Sequence, residues 1–441
     1  MAMVVKNNMS AVNTLNILNR NQSALAKSLQ KVSSGMKIND AGDDASGYAI
    51  SERMRVQIRS LDQDKQNTQN GNSMMKTAEG AVASTVEILK TLKEKAINAA
   101  NDTNTDEDRR TIQKEINQMV DQIDDNALAT YNGKYLVDGS RNSIGTATCT
   151  TLTNNALSTA AGWSSKLVDL ESRQNESLNI QSTDNVTVSY VRQGRTYTTT
   201  FSVGNQTLAD IIGKTAFNGT DSVKGSSMVG GTTAGAWIGL DKAGNSVYTA
   251  DNKTALSINA AGAGTTFQIS AFTIGITDNT GALRKTANTA LDNFNERIRA
   301  ENKSEDNALV LQTGVKSNQA IKVSMTDMRS LALGMKGTDG SVISVQTQDK
   351  ANAAINSIDS ALQKALDEQA NIGAVQTRLR YTASNLTTQS ENVQNSESTI
   401  RDADMAKEMT EYTKNNVLLQ AAQSMLAQAN QNSSAVLSLL R

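Results

Sequence analysis

Residues 33–51 read SSGMKINDAGDDASGYAIS, and this stretch separates two long segments whose apolar residues repeat every three or four positions. Gly35 and Gly42 mark two breaks, because glycine adopts backbone angles that are closed to other residues. Asp43 or Asp44 is suited to cap a helix that begins near Ala45, with Ser46 and Glu52 supporting its first turns. We therefore expect a joint between helical domains, formed by Ser34, Gly35, Asn39, Asp40, Gly42, Asp43, Asp44 and Gly47.

Two other interpretations of this stretch are a solvated linker and a calcium loop. The calcium loop is disfavoured because the spacing lacks the alternating Asp-x-Asp-x-Asp-Gly pattern and the distal glutamate of an EF-hand. Within the joint, Lys37 and Asp40 are candidates for contacts between subunits.

Residues 5–140 carry helical periodicity on both sides of this joint. Upstream, the apolar positions form a heptad seam with one polar member, Gln22. Downstream, the seam resumes at Met54 and ends near Ala100, and Thr105 then caps a further helix whose first turn is acidic. The upstream seam is predicted to be an assembly surface and comprises Leu15, Leu18, Leu25, Leu29 and Val32.

The middle of the chain, residues 141–282, is rich in Gly, Ser and Thr and has no heptads. Alternation on both sides of Gln193-Gly194 predicts a hairpin in which Val186, Val188 and Tyr190 face Tyr197, Thr199 and Phe201 or the neighbours of these residues. Asn132-Gly133 predicts a tighter hairpin just before this region. TTFQISAFTIGI is a further strand candidate, TLADIIGKT a short helix, and Trp163 and Trp237 are expected core residues.

Residues 283–441 return to helix, and the 3,4 spacing from Ile355 to Val393 covers more than five heptads. A repeat sustained over that length indicates a coiled coil. The last stretch carries a second predicted assembly seam, which includes Leu418, Met425, Val436 and Leu440.

The composition supports long helices with thin cores. An average chain of this length has roughly 20 prolines, and this one has none, so no proline interrupts a helix. Only 3% of residues are aromatic, although aromatic side chains usually supply much of a thick core. The fold class is therefore expected to be mainly α: long terminal helices forming a coiled-coil rod, with a β-rich central insert domain.

Several functional classes are disfavoured by what the sequence lacks. The net charge is -1, so neither nucleic acid binding nor attraction to an acidic membrane is predicted. No stretch approaches the roughly 20 apolar residues of a membrane-spanning helix. The absence of histidine removes Ser-His and Cys-His nucleophile systems and His-ligated zinc sites. Carboxylate pairs such as Asp124-Asp125 are expected to be solvated, so we predict no catalytic residue, no cofactor and no metal.

The terminal seams are poor in apolar area, since Gln, Asn and Ser occupy many of their positions. Isolated helices gain little stability in water. We therefore expect the two ends to order only when many copies pack side by side, which couples folding to assembly.

Four motifs in order resemble those of bacterial flagellin, the subunit of the flagellar filament. They are VSSGMKINDAGDDASGYAIS at 32–51, YNGKYLVDG at 131–139, LQTGVKSNQAIKVSMTDMRSLALGM at 311–335, and the terminal SLLR. The resemblance covers residues 1–140 and 283–441, but not the insert. It implies five parts: 1–45, an inner-core helix with the joint; 46–140, half of an outer-core domain; 141–282, a variable, surface-exposed domain; 283–400, the other outer-core half; and 401–441, an inner-core helix.

The resemblance also implies a function and partners. The chain is expected to polymerise into a tubular extracellular filament after export in unfolded form, without a signal peptide, by the flagellar type III apparatus. The implied partners are further copies of the chain, a filament cap protein, a hook–filament junction protein and a flagellin export chaperone. O-linked sugars on the Thr- and Ser-rich insert, or ordinary solvated loops, remain open alternatives.

Flagellins detected by a toll-like receptor present an Arg, a Leu and a Glu on their outer-core helices. The matching positions here are Thr91, Lys95 and Glu115. Losing an arginine removes a multidentate donor, and a lysine at a desolvated position adds the cost of burying a charge. Weak receptor activation is therefore expected.

Two rival functions remain at this point. The hook–filament junction protein resembles flagellin at both ends, but agreement across the joint and the last helix favours the filament subunit. A cytoplasmic chemoreceptor signalling rod is also rich in Ala, Ser and Gln heptads, but it would lack a central β-insert.

Overall fold

The computed structural model describes residues 8–162, 164–215, 237–249 and 255–439, which are mainly α-helical with a β-rich middle. This confirms the predicted fold class. Trp163 and Leu440 lie outside the described residues, and Val436 lies in a helix in which its side chain is not described.

Seven α-helices occur in the described part of the chain, and the longest two have 56 and 54 residues. They are α1 (Met9–Ser34), α2 (Ala45–Ala100), α3 (Asp106–Ala127), α4 (Leu208–Thr215), α5 (Lys285–Leu291), α6 (Gln348–Arg401) and α7 (Met405–Leu439). Helix α3 begins at the predicted cap: Thr105 Oγ1 accepts from the Asp108 N–H, and the Asp108 carboxylate accepts from the Thr105 N–H.

Twelve strands form five small sheets in the same described ranges. The strands are β1 (Thr130–Tyr131), β2 (Lys134–Tyr135), β3 (Thr151–Asn154), β4 (Asn185–Arg192), β5 (Arg195–Ser202), β6 (Trp237–Leu240), β7 (Ser246–Tyr248), β8 (Leu256–Asn259), β9 (Ile269–Thr277), β10 (Phe294–Ile298), β11 (Leu309–Gln312) and β12 (Ala320–Val323). The three-stranded sheets have the orders β10-β3-β8 and β5-β4-β9, and β1-β2, β6-β7 and β11-β12 are two-stranded.

Both predicted hairpins are confirmed. Asn132 and Gly133 have φ angles of 51° and 71°, the positive values that a two-residue type I′ turn requires. Strands β4 and β5 pair in one of the registers that the alternation allowed, with Val186 opposite Phe201 and Tyr190 opposite Tyr197. The strand predicted near residue 265 begins only at Ile269, because Thr265–Phe267 form a 3-10 turn.

One face of the β5-β4-β9 sheet supplies the core of the β-rich region. Tyr190 and Phe272 are buried there, at 1% and 2% exposure. The prediction for Trp237 is wrong, since its side chain is 52% exposed. Trp237 starts β6, and successive side chains of a strand point to opposite faces, so it is the neighbouring Ile238 that is buried.

By its internal contacts the chain divides into two units. The first, called the terminal unit below, contains the described parts of residues 1–68, 312–319 and 381–441. The second, called the outer unit, contains residues 69–311 and 320–380. The outer unit holds both hydrophobic cores, one among helices and one in the β-rich region.

The helical core of the outer unit is built from α2, α3 and α6 and from the segment around β11 and β12. Many of its buried positions are alanine, which lets helix backbones approach closely while burying little area per residue. Buried members include Met75, Ala78, Val82, Leu89, Ile116, Val120, Ile123, Ala354, Ile358, Ala361 and Ala365.

Polar side chains of α3 fix neighbouring segments to this core. Gln113 donates to the Ile343 carbonyl at 2.9 Å and accepts from the Val345 N–H at 2.7 Å. Asp124 accepts from both the N–H and the hydroxyl of Ser330, each at 2.8 Å. The expectation that Asp124 is solvated is therefore wrong, whereas Asp125 is exposed.

Candidate assembly surfaces

The joint begins where α1 ends. Gly35 adopts a left-handed conformation, with φ 69°, and its N–H donates to the Lys31 carbonyl at 2.9 Å. Ser34 Oγ accepts from the Met36 N–H at 3.2 Å, which tightens the same turn. The expectation that Gly42 also needs a conformation special to glycine is wrong, because its φ is not in the left-handed range.

Three aspartates hold the rest of the turn. Asp40 accepts from the Gly42 N–H at 2.9 Å, and Asp43 accepts from the Asn39 N–H at 3.2 Å. The bond from Asn39 lowers the pKa of the Asp43 carboxyl. Asp44 accepts from the N–H groups of Ser46 and Gly47, both at 3.0 Å, so Asp44 caps α2.

The joint has a second half, from the other end of the chain, which the sequence did not reveal. Met36 pairs with Asp402 as an isolated antiparallel bridge. The Lys37 N–H donates to the Arg401 carbonyl at 2.7 Å, and the Ala403 N–H donates to the Gly35 carbonyl at 2.9 Å. The break between α6 and α7 therefore lies beside the break between α1 and α2.

Arg401 occupies the centre of this pairing, with 5% of its surface exposed. It donates to Glu52 Oε1 at 2.7 Å, and its guanidinium lies 5.4 Å from the centroid of the Tyr48 ring. The bond from Arg401 lowers the pKa of Glu52. Asp404 caps α7 by accepting from the N–H groups of Ala406 and Lys407. An aspartate just before an apolar run was the one sequence feature pointing to this half.

The terminal helices pair in antiparallel fashion, and three hydrogen bonds from asparagine side chains cross the pair. Asn8 donates to the Ala429 carbonyl at 3.2 Å, and Asn21 donates to the Leu418 carbonyl at 3.1 Å. Nearer the joint, Asn415 donates to Ser28 Oγ at 2.9 Å. Among the residues of α1 and α7 with described side chains, only Ser28 and Ala422 are buried. The pair therefore encloses almost no apolar core.

The predicted seam of α1 divides into two stripes. Leu18, Leu25 and Val32 recur every seven residues and are half-buried. Leu15 and Leu29, also separated by multiples of seven, are 46% and 52% exposed. The predicted α7 positions Leu418 and Met425 are 42% and 63% exposed. A single chain thus leaves an apolar surface uncovered on α1 and α7, comprising Met9, Val12, Leu15, Ile17, Leu29, Met405, Met409, Val417, Leu418 and Met425.

The three receptor-matched positions lie on neighbouring helices of the outer unit. Lys95 Nζ is 2.8 Å from Glu115 Oε2, so these two side chains form an ion pair across α2 and α3. Thr91 Oγ1 donates to the Glu87 carbonyl of its own helix at 3.1 Å. The glutamate is therefore engaged within the chain.

Two properties of the described residues bear on other functions. None of their helices is long and apolar enough to cross a membrane. No group of three or more Cys, Asp or Glu side chains within them is arranged to hold a metal ion.

The flagellin family models match both ends of the chain. The bacterial flagellin N-terminal helical region matches residues 5–142, and the bacterial flagellin C-terminal helical region matches residues 355–440. A flagellin of Clostridium tyrobutyricum is 35% identical over 97% of this chain and 99% of its own length. A flagellin of Bacillus subtilis is 30% identical over the full length of both chains.

The chain belongs to the bacterial flagellin family. It is a structural subunit of the flagellar filament, the polymer that flagellins form outside the cell. One solved structure that matches is FliC from Burkholderia pseudomallei, at 19% identity and a TM-score of 0.26, covering 70% of this chain and 99% of that one. The junction protein FlgL from Legionella pneumophila matches at 17% identity and a TM-score of 0.29, covering 75% and 99%. Membership of the flagellin family is shown by the sequence relatives, not by these two structures.

Proposed function

We propose that this flagellin builds its filament by coupling the ordering of α1 and α7 to polymerisation. The observation that carries the proposal is the burial pattern of the terminal helices: ten large apolar side chains are exposed, and only Ser28 and Ala422 are buried among the side chains described there. Most helical stability in proteins comes from packing of an apolar face. Neighbouring copies supply the packing surface that the pair lacks.

The exposed stripe of α1 offers a direct test of this proposal. The double variant Leu15→Ser, Leu29→Ser removes two exposed leucines without touching the half-buried stripe. We expect the concentration needed for polymerisation, measured by sedimentation of purified chain, to rise about ten-fold or more, since each leucine loses much of its burial energy. Gln22→Ser, at the equivalent exposed position between them, is the matched control. Equal polymer yields for both variants would refute the proposal.

The joint is proposed as a second contact between copies. Lys37 and Asp40 are both exposed, and neither side chain forms an ion pair with another described residue. A charge-reversal pair tests this role: Lys37→Glu and Asp40→Lys should each weaken polymerisation, and co-assembly of the two variants should restore it. If the mixed variants polymerise no better than each variant alone, Lys37 and Asp40 do not pair between copies, and the joint only connects helices within one chain.

Export in unfolded form through the flagellar type III apparatus is also proposed. It is supported by a chain with no proline and one cysteine, which has neither slow prolyl isomerisation nor an internal disulfide. The exposed apolar side chains of α7 provide a surface for an export chaperone before assembly. Deleting residues 405–441 should abolish capture by the chaperone and delivery to the medium, whereas deleting part of the insert should not.

The remaining implied partners, the filament cap and the hook–filament junction protein, contact the ends of the polymer. We propose that they engage the same terminal helices, because an end subunit keeps its apolar stripes uncovered on one side. Competition tests this: a peptide covering residues 405–441 should slow growth at capped ends. No catalytic role is proposed, since the sequence has no histidine for a Ser-His or Cys-His nucleophile system.

Weak activation of the toll-like receptor is supported by the Lys95–Glu115 ion pair, which occupies the one retained receptor-matched side chain. The double variant Thr91→Arg, Lys95→Leu should free Glu115 and raise potency by at least about ten-fold in a reporter-cell assay. Lys90→Leu, on an exposed part of the same helix, is the control. Full potency of the unmodified chain would refute weak activation.

A further inference from the structure

Among the methionines with described side chains, the exposed ones all lie on the terminal helices. Met9, Met405, Met409 and Met425 are 62%, 43%, 46% and 63% exposed. The other methionines with described side chains are half-buried or buried. The half-buried ones are Met36, Met54 and Met119, and the buried ones are Met74, Met75, Met325, Met328 and Met335.

The four exposed thioethers are spread over both ends of the helix pair. Met9 follows Asn8, which bonds to Ala429, so Met9 and Met425 lie towards the end remote from the joint. Met405 and Met409 flank Glu408, which lies 3.9 Å from Lys31 near the joint. Oxidation at these positions would alter the terminal pair along most of its length.

We propose that these four methionines form an oxidation-sensitive site that controls whether a subunit can polymerise. The inference rests on the proposed function of α1 and α7. In the unassembled chain the thioethers are open to peroxide-class oxidants, and in the polymer they are covered by neighbouring copies. Oxidised subunits are therefore excluded from growth, while finished filaments resist the same oxidant.

The chemistry is a two-electron oxygen transfer. The methionine sulfur attacks one peroxide oxygen, the O–O bond breaks as the S–O bond forms, and the peroxide is reduced to water. The product, methionine sulfoxide, replaces a flexible apolar side chain by a polar one and disrupts methionine-rich interfaces. Methionine sulfoxide reductases return the sulfoxide to the thioether, with two electrons from a thiol reductant and loss of the oxygen as water.

Exposure gives the reaction its selectivity. The core methionines of the outer unit, such as Met75 and Met335, have no exposed surface. Mild oxidation should therefore modify the terminal helices and leave the outer unit folded. Loss of polymerisation would then result from oxidation of the exposed methionines and not from unfolding of the outer unit.

The test treats purified, unassembled chain with hydrogen peroxide and maps sulfoxides by peptide mass spectrometry. Polymerisation onto filament seeds is then measured by sedimentation. Among the methionines with described side chains, we expect oxidation first at the four exposed ones. Polymer yield should fall about ten-fold, the melting transition of the outer unit should not change, and treatment with methionine sulfoxide reductase and a dithiol reductant should restore the yield. Preformed filaments should show protection at the same four positions.

A variant with all four methionines changed to leucine is the matched control, because Leu and Met have similar volumes. It should polymerise and keep its yield after peroxide. The inference is overturned if wild type oxidised at all four positions polymerises normally, if the reductase restores nothing, or if the leucine variant loses as much yield as wild type. Failure of untreated wild type to polymerise onto seeds would instead contradict the proposed function.

Discussion

At the scale of single residues, the start of α2 depends on close contact between Asp44 and Gly47. Asp44 accepts the Gly47 N–H at 3.0 Å. A Cβ at position 47 would lie 2.5 Å from Asp44 Oδ2 and 2.7 Å from Ile38 Cδ1, well inside normal contact. Glycine is therefore required here for space and not for backbone angle.

The change Gly47→Ala should destabilise the joint by about 1–3 kcal/mol, the usual range for overpacking. The neighbouring Ser46→Ala, at an exposed position, should have little effect. Hydrogen exchange of peptides covering residues 36–48, measured in filaments, reports the difference. Equal exchange in the two variants would show that the joint tolerates a methyl group at residue 47.

A second residue-scale prediction concerns Glu368, which is 4% exposed in α6. Burial raises the pKa of its carboxyl, although Thr326 Oγ1 donates to it at 2.6 Å and opposes that shift. The buried Lys364 lies one turn earlier, and burial lowers the pKa of its amine. Both groups thus resist ionisation in the folded chain.

The sign of the pH effect follows from proton binding. The folded chain retains the Glu368 proton above the pH at which the unfolded chain releases it, so its stabilising contribution is complete at low pH and is lost as pH rises through the raised pKa. Glu368→Gln should therefore be more stable than wild type at pH 8, and the difference should shrink as the pH falls. Urea unfolding of the outer unit at several pH values measures this, with exposed Glu94→Gln as control. A pH-independent difference would contradict it.

At the scale of secondary-structure elements, the local sequence pattern predicted the hairpins. It did not predict which distant segments pair. Alternating Val, Tyr and Phe around a Gln-Gly turn predicted the β4–β5 hairpin, because all the information lies within 18 residues, but it left the register open between neighbouring residues. The pairing of residues 35–37 with 401–403 was missed because nearly the whole chain separates the two segments. The prediction that Trp237 lies in the core was wrong because the residue type alone does not show which face of a strand packs against the core.

Arg401 is the element-scale test, since it ties the end of α6 to the start of α2. Arg401→Lys loses the planar group above Tyr48 and should cost about 1 kcal/mol. We expect faster hydrogen exchange at Lys37 and Ala403, whose N–H groups bridge the two segments. Arg59→Lys, an exposed arginine of α2, is the control. Unchanged exchange in Arg401→Lys would mean that the backbone bonds alone hold the joint.

At the scale of the whole molecule, stability is distributed unevenly. The outer unit holds both large hydrophobic cores, whereas Ser28 and Ala422 are the only buried residues among the described side chains of α1 and α7. The sequence predicted this contrast, because Gln, Asn and Ser at heptad positions limit the apolar area that the helices can bury. It could not predict which leucines of the seam remain uncovered, since that depends on the rotation of α1 against α7.

Hydrogen exchange of α1 and α7, compared between unassembled chain and filament, tests this account most directly. Peptides from residues 9–34 and 405–439 should exchange almost freely in the unassembled chain and at least ~100-fold more slowly in the filament, while peptides from α3 stay protected in both. Equal, strong protection of α1 and α7 in the unassembled chain would show that these helices fold without their neighbours, and would contradict the account.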